Sequence, residues 1–508
     1  MKLKLYNTLT RQKEDFVPRK EGKVKIYSCW PTVYRDPHIG NLRAFTFAGL
    51  LWDICRAIGY TVEHTMNVTD VGHLTDDWDQ GEDKMEKWAK REWITVRDIA
   101  KKYENNFRKD LKDLRIHFDH IPRATDHIPE QIAIVQSLIE QWYTYEIAGD
   151  GVYMDTSRIA DYGKLLPPEH LAWLQKWARV DATGKKNTTD FALWKYSPTD
   201  EQRQMERIFQ WNRSGILITQ ELRDTITDQE QATRGFPWRH IECSAMARAT
   251  LGDFIDIHTG GVDHVPVHHT NEICQSECWF THGEKRVNYR LHCQFLNMDT
   301  EKISKSLGNV KTVSQLQEEW YDPLDLRYFY MLAHYRSFQD FTKSSLDAAK
   351  NARKNLKKKL QKICNIQTPT IEEFDDTTSA QELKGLFTDA FIANLFDDLL
   401  QNLCDDINLP ETIATMQHAI NTITEQKLAV DTRELYVLIH RLDTRILKLD
   451  ILEQEEIEIP AQIQSLAQQR RDAKLSKDYA KADALRNKLH IAGREMLDEK
   501  NNFKLQKL

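Results

Sequence analysis

No apolar run in this 508-residue chain reaches the roughly 20 residues that a membrane-spanning helix needs, so a membrane protein of that kind is not expected. The opening, MKLKLYNTLTRQKEDF, has basic residues but no apolar core and no small-residue cleavage site. A secretory signal is therefore not expected either, and a cytoplasmic location follows by default. The eight cysteines are scattered at irregular spacings. That pattern excludes a regular disulfide framework and favours thiol or metal chemistry in a reducing compartment. An excess of positive charge is also missing. The formal net charge is −7, which rules out a uniformly basic coat but not one basic face able to meet nucleic acid. There is no internal repeat, no low-complexity tract and no GxxxxGK[ST] run of the kind that cradles phosphates in P-loop proteins.

What is present is a globular composition, 41% hydrophobic and 29% charged. The length exceeds one hydrophobic core and suits about three or four domains. Residues 23–29, KVKIYSC, alternate apolar and polar positions as a short strand does. After a turn containing Pro31 and Pro37, the residues Leu42, Phe45, Leu50, Leu51, Ile54 and Ile58 fall on a helical period, and Gly59 is placed to end that helix. Alternation returns at 61–68, TVEHTMNV. Strand, helix, strand over this length is a right-handed parallel unit, the first half of a nucleotide-binding sheet. Residues 72–118 read as polar helix. The stretch 120–230 reads as an insertion, with a hairpin near Ile147 to Met154, a strand at Phe191 to Trp194 and a strongly polar tract over 198–233. Strand character is expected again at 238–243 and 253–257, and none beyond about 310, where helical spacing takes over. Two basic helices stand out, 352–362 and 468–489.

Two short motifs carry chemistry. His38-Ile39-Gly40-Asn41 sits where the first strand turns into the first helix. A helix N-terminus offers backbone N–H groups and partial positive charge to an anion. Gly40 admits close approach of a flat adenine or ribose, and His38 and Asn41 can hydrogen-bond phosphate oxygens. Lys302-Ile303-Ser304-Lys305-Ser306 is a cationic loop suited to charge developing on a triphosphate during in-line displacement. Each motif alone is as readily a surface turn or an exposed basic loop. Together, in this order, they resemble the paired signatures of class I aminoacyl-tRNA synthetases, in which methionine usually fills the Ile303 position. A third constellation, Cys29, Cys243, His268 and Glu272, combines two thiolates, an imidazole and a carboxylate, a credible tetrahedral zinc set. His268 and Glu272 are four apart and share a helix face. Cys274 and Cys278, also four apart, form an alternative ligand pair with His268.

These residues, with Pro31-Thr32-Val33-Tyr34, Phe191-Ala192-Leu193-Trp194-Lys195, Tyr321-Asp322-Pro323, Ala333-His334-Tyr335-Arg336-Ser337 and Lys477-Asp478-Tyr479-Ala480, resemble the cysteinyl-tRNA synthetases over nearly the whole chain. The resemblance implies an α/β fold: a split Rossmann-type parallel-sheet catalytic domain at 1–120 and 231–310, a connective insertion at 121–230 and a linker at 311–343. An all-α half follows, with a tRNA-binding domain at 344–450 and an anticodon-region domain at 451–508. It implies that L-cysteine, ATP with Mg2+ and a cysteine tRNA are the partners, with one Zn2+ per chain and a monomer as the working form. By the same resemblance His38, Asn41, Lys302 and Lys305 are catalytic, Ile39, Gly40, Ser304 and Ser306 complete the ATP site, and Cys29, Thr32, Trp238 and His240 meet the amino acid. Zinc prefers soft thiolate, so it can separate cysteine from serine where pocket shape would give only about 10–200-fold.

Two positions depart from the family pattern. Trp30 stands where glycine is usual, and Pro237-Trp238-Arg239-His240 places arginine at the usual tryptophan and a tryptophan one place early. Either the pocket wall shifts register locally or the pocket is rebuilt around Trp30. A ligase joining cysteine to a small amine, and a catalytically impaired tRNA-binding relative, remain the alternative readings.

Overall fold

A computed structural model of the chain describes residues 2–29, 34–70, 84–167, 184–196, 210–211, 217–218, 235–279, 284–298, 301–302, 310–364, 383–453, 461–476, 478–491, 494–498 and 503–507. Within them the two halves of the expected nucleotide-binding domain form one parallel sheet. Its order is Val287–Cys293, Ile255–Gly261, Lys23–Ser28, Thr61–Met66. The second half thus joins the edge of the first with its strands running the same way, and the inner pair is largely buried, as parallel sheets demand. Helix Ile39–Ala57 connects the first two strands. It buries Leu42, Phe45, Leu50, Leu51 and Ile54, the residues whose spacing identifies it, and Gly59 follows its end at φ +104°.

The insertion builds its own antiparallel sheet in the order Gly235–Pro237, Phe191–Tyr196, Gly151–Met154, Thr144–Ile147. Its core joins Val152, Met154, Phe191, Leu193 and Trp194 to Ile241, Ala245 and Cys274. Most of the polar tract 198–233 lies outside the described residues.

Residues 238–243 are not a strand. They open the helix Arg239–Leu251, which Gly252 ends at φ +85°. This helix is buried on nearly every side between sheet and insertion, so it lacks the polar stripe that separates a helix from a strand in sequence.

Beyond 310 helices dominate: Val313–Glu318, Pro323–Met331, Lys343–Ile363, Ala390–Cys404, Leu409–Glu425 and Thr432–Leu442. Three strands among the described residues correct the expectation of none there. Gln339–Phe341 pairs in parallel with Leu296–Met298, and Arg494–Asp498 with Phe503–Lys507 makes a hairpin. Strands this short are defined by their distant partners more than by their own pattern. The basic stretch 468–489 is not one helix but parts of two, Ala461–Leu475 and Tyr479–Ile491. Asp478 makes the break by accepting from the backbone N–H of Lys481, as an N-cap does. Residues Met1–Leu452 form one compact unit and Glu453–Leu508 a second. No described helix is long and apolar enough to cross a membrane.

One buried cation joins the catalytic sheet's helix to the helical region. Arg327, wholly buried, donates to the carbonyls of Leu447 (2.6 Å), Leu114 (2.7 Å) and Ile446 (3.0 Å) and lies 3.6 Å from Asp53 of helix Ile39–Ala57. Asp53 also takes Lys448 at 2.6 Å. Arg327→Ala strands three carbonyls and leaves Asp53 with one partner, so urea unfolding should show a loss of about 3–5 kcal/mol. A midpoint equal to the parent's would contradict this role.

Candidate metal and amino-acid site

Cys29 ends the strand Lys23–Ser28, and its N–H reaches across the sheet to Thr259 O at 3.2 Å. Cys243 lies in the second turn of helix Arg239–Leu251, while His268 and Glu272 share one face at the start of helix His268–Trp279. Four residues from distant parts of the sequence meet here. The two Sγ atoms are 3.6 Å apart, and His268 Nε2 lies 3.4 Å from each. Glu272 Oε1 is 3.2 Å from Cys29 Sγ and 2.9 Å from His268 Nε2.

These separations can be compared with the edges of a metal tetrahedron. With metal–sulfur bonds near 2.3 Å and metal–nitrogen or –oxygen bonds near 2.0–2.1 Å, the S–S edge is about 3.7 Å, S–N and S–O edges about 3.5–3.6 Å and the N–O edge about 3.4 Å. The donor set therefore fits a tetrahedral, thiolate-preferring cation. Its edges are slightly shorter than these values.

The charges in the cluster support one another. Burial opposes ionisation of Glu272, yet His258 and His268 hold its carboxyl well below the ordinary range. Burial likewise disfavours a charged His268, but the Cys243 thiolate and Glu272 raise it to about 10. The Cys243 thiol is lowered to about 7 by the hydrogen bond from Cys29, whose own thiol is pushed well up by burial and by that same pairing.

A second layer orients these donors. Glu272 Oε2 is held by His258 Nε2 at 2.6 Å, leaving Oε1 toward the cluster. His268 points Nε2 at the thiols and Nδ1 at His240 Nδ1, 3.2 Å away. Burial, then the charge of His268, keeps His240 neutral, so it accepts the Nδ1–H. Such partners fix a ligand's tautomer and direction. Gly260 is required nearby, because a Cβ there would meet His269 Cε1 at 2.7 Å and His264 Nδ1 at 2.8 Å. His258 was not assigned to the site from sequence. Its signal is a histidine within a continuous buried strand, Ile255–Gly261.

The other expected residues are placed as follows. His38 caps helix Ile39–Ala57: its Nδ1 accepts from Asn41 N–H (3.3 Å), and Asn41 Oδ1 accepts from His38 N–H (3.4 Å), a reciprocal capping box. Gly40 follows Ile39 in the first turn. Lys302 closes the two-residue strand Glu301–Lys302, while Ser304, Lys305, Ser306, Thr32 and Trp30 lie outside the described residues. Trp238 is buried with Phe236, Tyr153 and Ala192 in the insertion, and the Arg239 guanidinium lies over its ring at 5.4 Å. Cys274 does not join His268 as a ligand pair with Cys278. It packs into the insertion's core, and both thiols line a separate cavity of about 320 Å³ with Tyr162, Lys164 and Glu277.

Comparison with known proteins shows the family. The model of the tRNA synthetases class I (C) catalytic domain family matches residues 15–219 and 219–351. Two solved structures share the fold at low identity. One is the Agrobacterium radiobacter LeuRS in a ternary complex with tRNA and LeuAMS (TM-score 0.58, 11% identity, 87% of each chain). The other is the Mycobacterium tuberculosis methionyl-tRNA synthetase bound by methionyl-adenylate (TM-score 0.55, 13% identity, 84% of this chain and 92% of that one). The fold is thus that of the class I synthetases. Among curated relatives, Cysteine--tRNA ligase 1 of Burkholderia lata is 39% identical over 97% of this chain and 94% of its own length. Cysteine--tRNA ligase of Treponema denticola is 36% identical over the full length of both. The chain belongs to the cysteine–tRNA ligase family of class I synthetases.

Metal analysis of purified protein tests the cluster. The parent should carry close to one metal per chain, and Cys243→Ala or His268→Ala should carry almost none. His258→Gln should keep the site but weaken it about 10–100-fold, read by competition with a chelator. Full metal occupancy in Cys243→Ala would exclude this cluster as the site.

Proposed function

We propose that this ligase activates L-cysteine with Mg·ATP and transfers it to the 3′ end of a cysteine tRNA, with the cluster of Cys29, Cys243, His268 and Glu272 selecting the substrate thiol. The observation that carries this reading is the four-donor geometry itself, formed by two thiols, one imidazole and one carboxylate at tetrahedral separations. A zinc ion bound there would supply a soft, thiolate-seeking centre that serine cannot satisfy. The protein's part is to aim the donors. His240 and His258 hold His268 and Glu272 in direction, and the sheet ties the Cys29 N–H to Thr259 O.

In the activation step the cysteine carboxylate attacks the α-phosphorus and pyrophosphate leaves. A ribose hydroxyl of the tRNA 3′-terminal adenosine then takes the cysteinyl group and AMP leaves. Substrate groups do the attacking, so no side-chain nucleophile is required. Charge grows on the triphosphate oxygens, and the partial positive charge at the start of helix Ile39–Ala57 favours it. His38, Ile39, Gly40 and Asn41 line this end, and Lys302, Ser304, Lys305 and Ser306 are the second group to meet it. The capping box leaves His38 and Asn41 fixed before ATP arrives, which lowers the cost of ordering them. Cys29, Thr32, Trp238 and His240 are assigned to the amino acid, His240 acting through His268.

The tRNA acceptor is supported by the match to the ligases through the C-terminal residues and by helix Lys343–Ile363. There Leu346, Ala349, Leu356 and Leu360 are buried while Lys354, Lys358 and Lys362 share an exposed face. We assign that face to tRNA and the unit Glu453–Leu508 to the anticodon region. The enzyme works in the cytoplasm as a monomer.

Exchange of labelled pyrophosphate into ATP tests the proposal. Cysteine should drive exchange and serine should not, and Cys29→Ala should lose more than about 10²-fold of the cysteine-driven rate. Equal exchange with serine, or undiminished exchange in Cys29→Ala, would overturn the selector.

A further inference from the structure

Arg43 lies two residues beyond the capping box, on helix Ile39–Ala57, and is 3% exposed. Among the described residues no carboxylate pairs with it. Its guanidinium instead grips four carbonyls: Gln294 O (2.9 Å) and Phe295 O (2.8 Å) through Nη1, and His334 O (3.2 Å) and Ser337 O (2.8 Å) through Nη2. Gln294 and Phe295 are the root of the strand Leu296–Met298, which turns back as Glu301–Lys302. The far side of the same segment is held by the same helix, because Ile39 N–H donates to Lys311 O at 2.8 Å. Tyr330 OH completes the grip on Ile39 O at 2.6 Å. The chain before Leu296 and the chain at Lys311 are therefore both anchored to the first two turns of the helix that opens with His38.

The other two carbonyls belong to a segment that reaches the helical region. His334 Nε2 donates to Asp406 O (3.0 Å), while Tyr335 OH (2.7 Å) and Arg336 Nε (2.8 Å) donate to the Asp406 carboxylate. Asp406 and Ile407 both hold positive φ, 61° and 58°, a conformation that β-branched residues rarely adopt. The surrounding bonds over-determine this turn. A guanidinium is the one side chain that can serve four acceptors spread in a plane; a lysine ammonium, with three donors on one atom, cannot.

We propose that Arg43 is a positioning residue for adenylation: its grip on Gln294 and Phe295 sets where the strands Leu296–Met298 and Glu301–Lys302, which lead to Lys302, stand relative to the His38–Asn41 turn. This rests on the reading of those two motifs as the ATP-handling pair. Arg43 touches no substrate. It acts by holding the strand root, and misplacement of reacting groups by about 1 Å costs on the order of 10²-fold in rate.

The test compares the parent with Arg43→Lys and Arg43→Ala in cysteine-dependent pyrophosphate exchange, with metal content and the KM for cysteine measured beside it. In Arg43→Lys, kcat should fall about 10²-fold while metal content and the KM for cysteine stay within about twofold of the parent. Millimolar guanidinium should restore part of the rate of Arg43→Ala, and an equal concentration of potassium should not. Arg43→Lys keeps the charge and most of the volume, so it decides the matter if Arg43→Ala does not fold. A parental kcat in Arg43→Lys overturns the proposal. So does a loss in which metal content and the cysteine KM change as much as kcat, since that is general damage to the fold. If the parent itself shows no exchange, the ATP reading fails and this proposal with it; exchange in the parent with an undiminished Arg43→Lys fails the Arg43 role alone.

Discussion

The site depends on one strand pairing. Lys23–Ser28 and Ile255–Gly261 lie side by side in parallel, with Ser28 opposite Thr259 and Tyr27 opposite His258, although the whole insertion separates them in sequence. This register puts Cys29 beside the end of the partner strand and His258 behind Glu272. A slip of one residue would turn Cys29 to the other face of the sheet, and a slip of two would move it by about 6.6 Å, beyond the reach of a shared ion. Helices Arg239–Leu251 and His268–Trp279 bring the remaining donors, and both flank that second-half strand in sequence. Parallel pairing at this separation must close a long loop, which is intrinsically slow.

A buried group of two thiols, several imidazoles and a carboxylate is expensive to desolvate, and the structure shows how the cost is offset. Each oxygen of Glu272 has a histidine partner. His268 uses both ring nitrogens. A divalent cation held by these four donors would offset that cost further. The same economy appears in the structural cations. Arg327 and Arg43 are satisfied mainly by carbonyls, which fix geometry in several directions at once.

Much of this was legible in the chain. The order of His38–Asn41 and Lys302–Ser306, the turn-to-helix signal at Asn41, and the four-residue spacing of His268 and Glu272 rest on local rules, and Cys29, Cys243, His268 and Glu272 lie close enough together to hold a metal ion. The misses share a cause. The start of helix Arg239–Leu251 reads as a strand because burial on nearly every side erases its polar stripe. The strands Gln339–Phe341 and Arg494–Asp498 owe their state to partners that local periodicity does not reveal. His258 went unassigned because its role is to hold another ligand, a relation visible only in three dimensions. Trp238 packs against Phe236 beneath the Arg239 guanidinium, an arrangement that the local sequence does not reveal.

The central claim is that the cluster recognises sulfur directly. X-ray absorption at the edge of the bound metal measures this without depending on turnover. With the metal-loaded enzyme alone, two sulfur neighbours from Cys29 and Cys243 are predicted; with L-cysteine the count should rise to three, and with L-serine it should stay at two. A sulfur count unchanged by cysteine at saturating concentration would contradict the account.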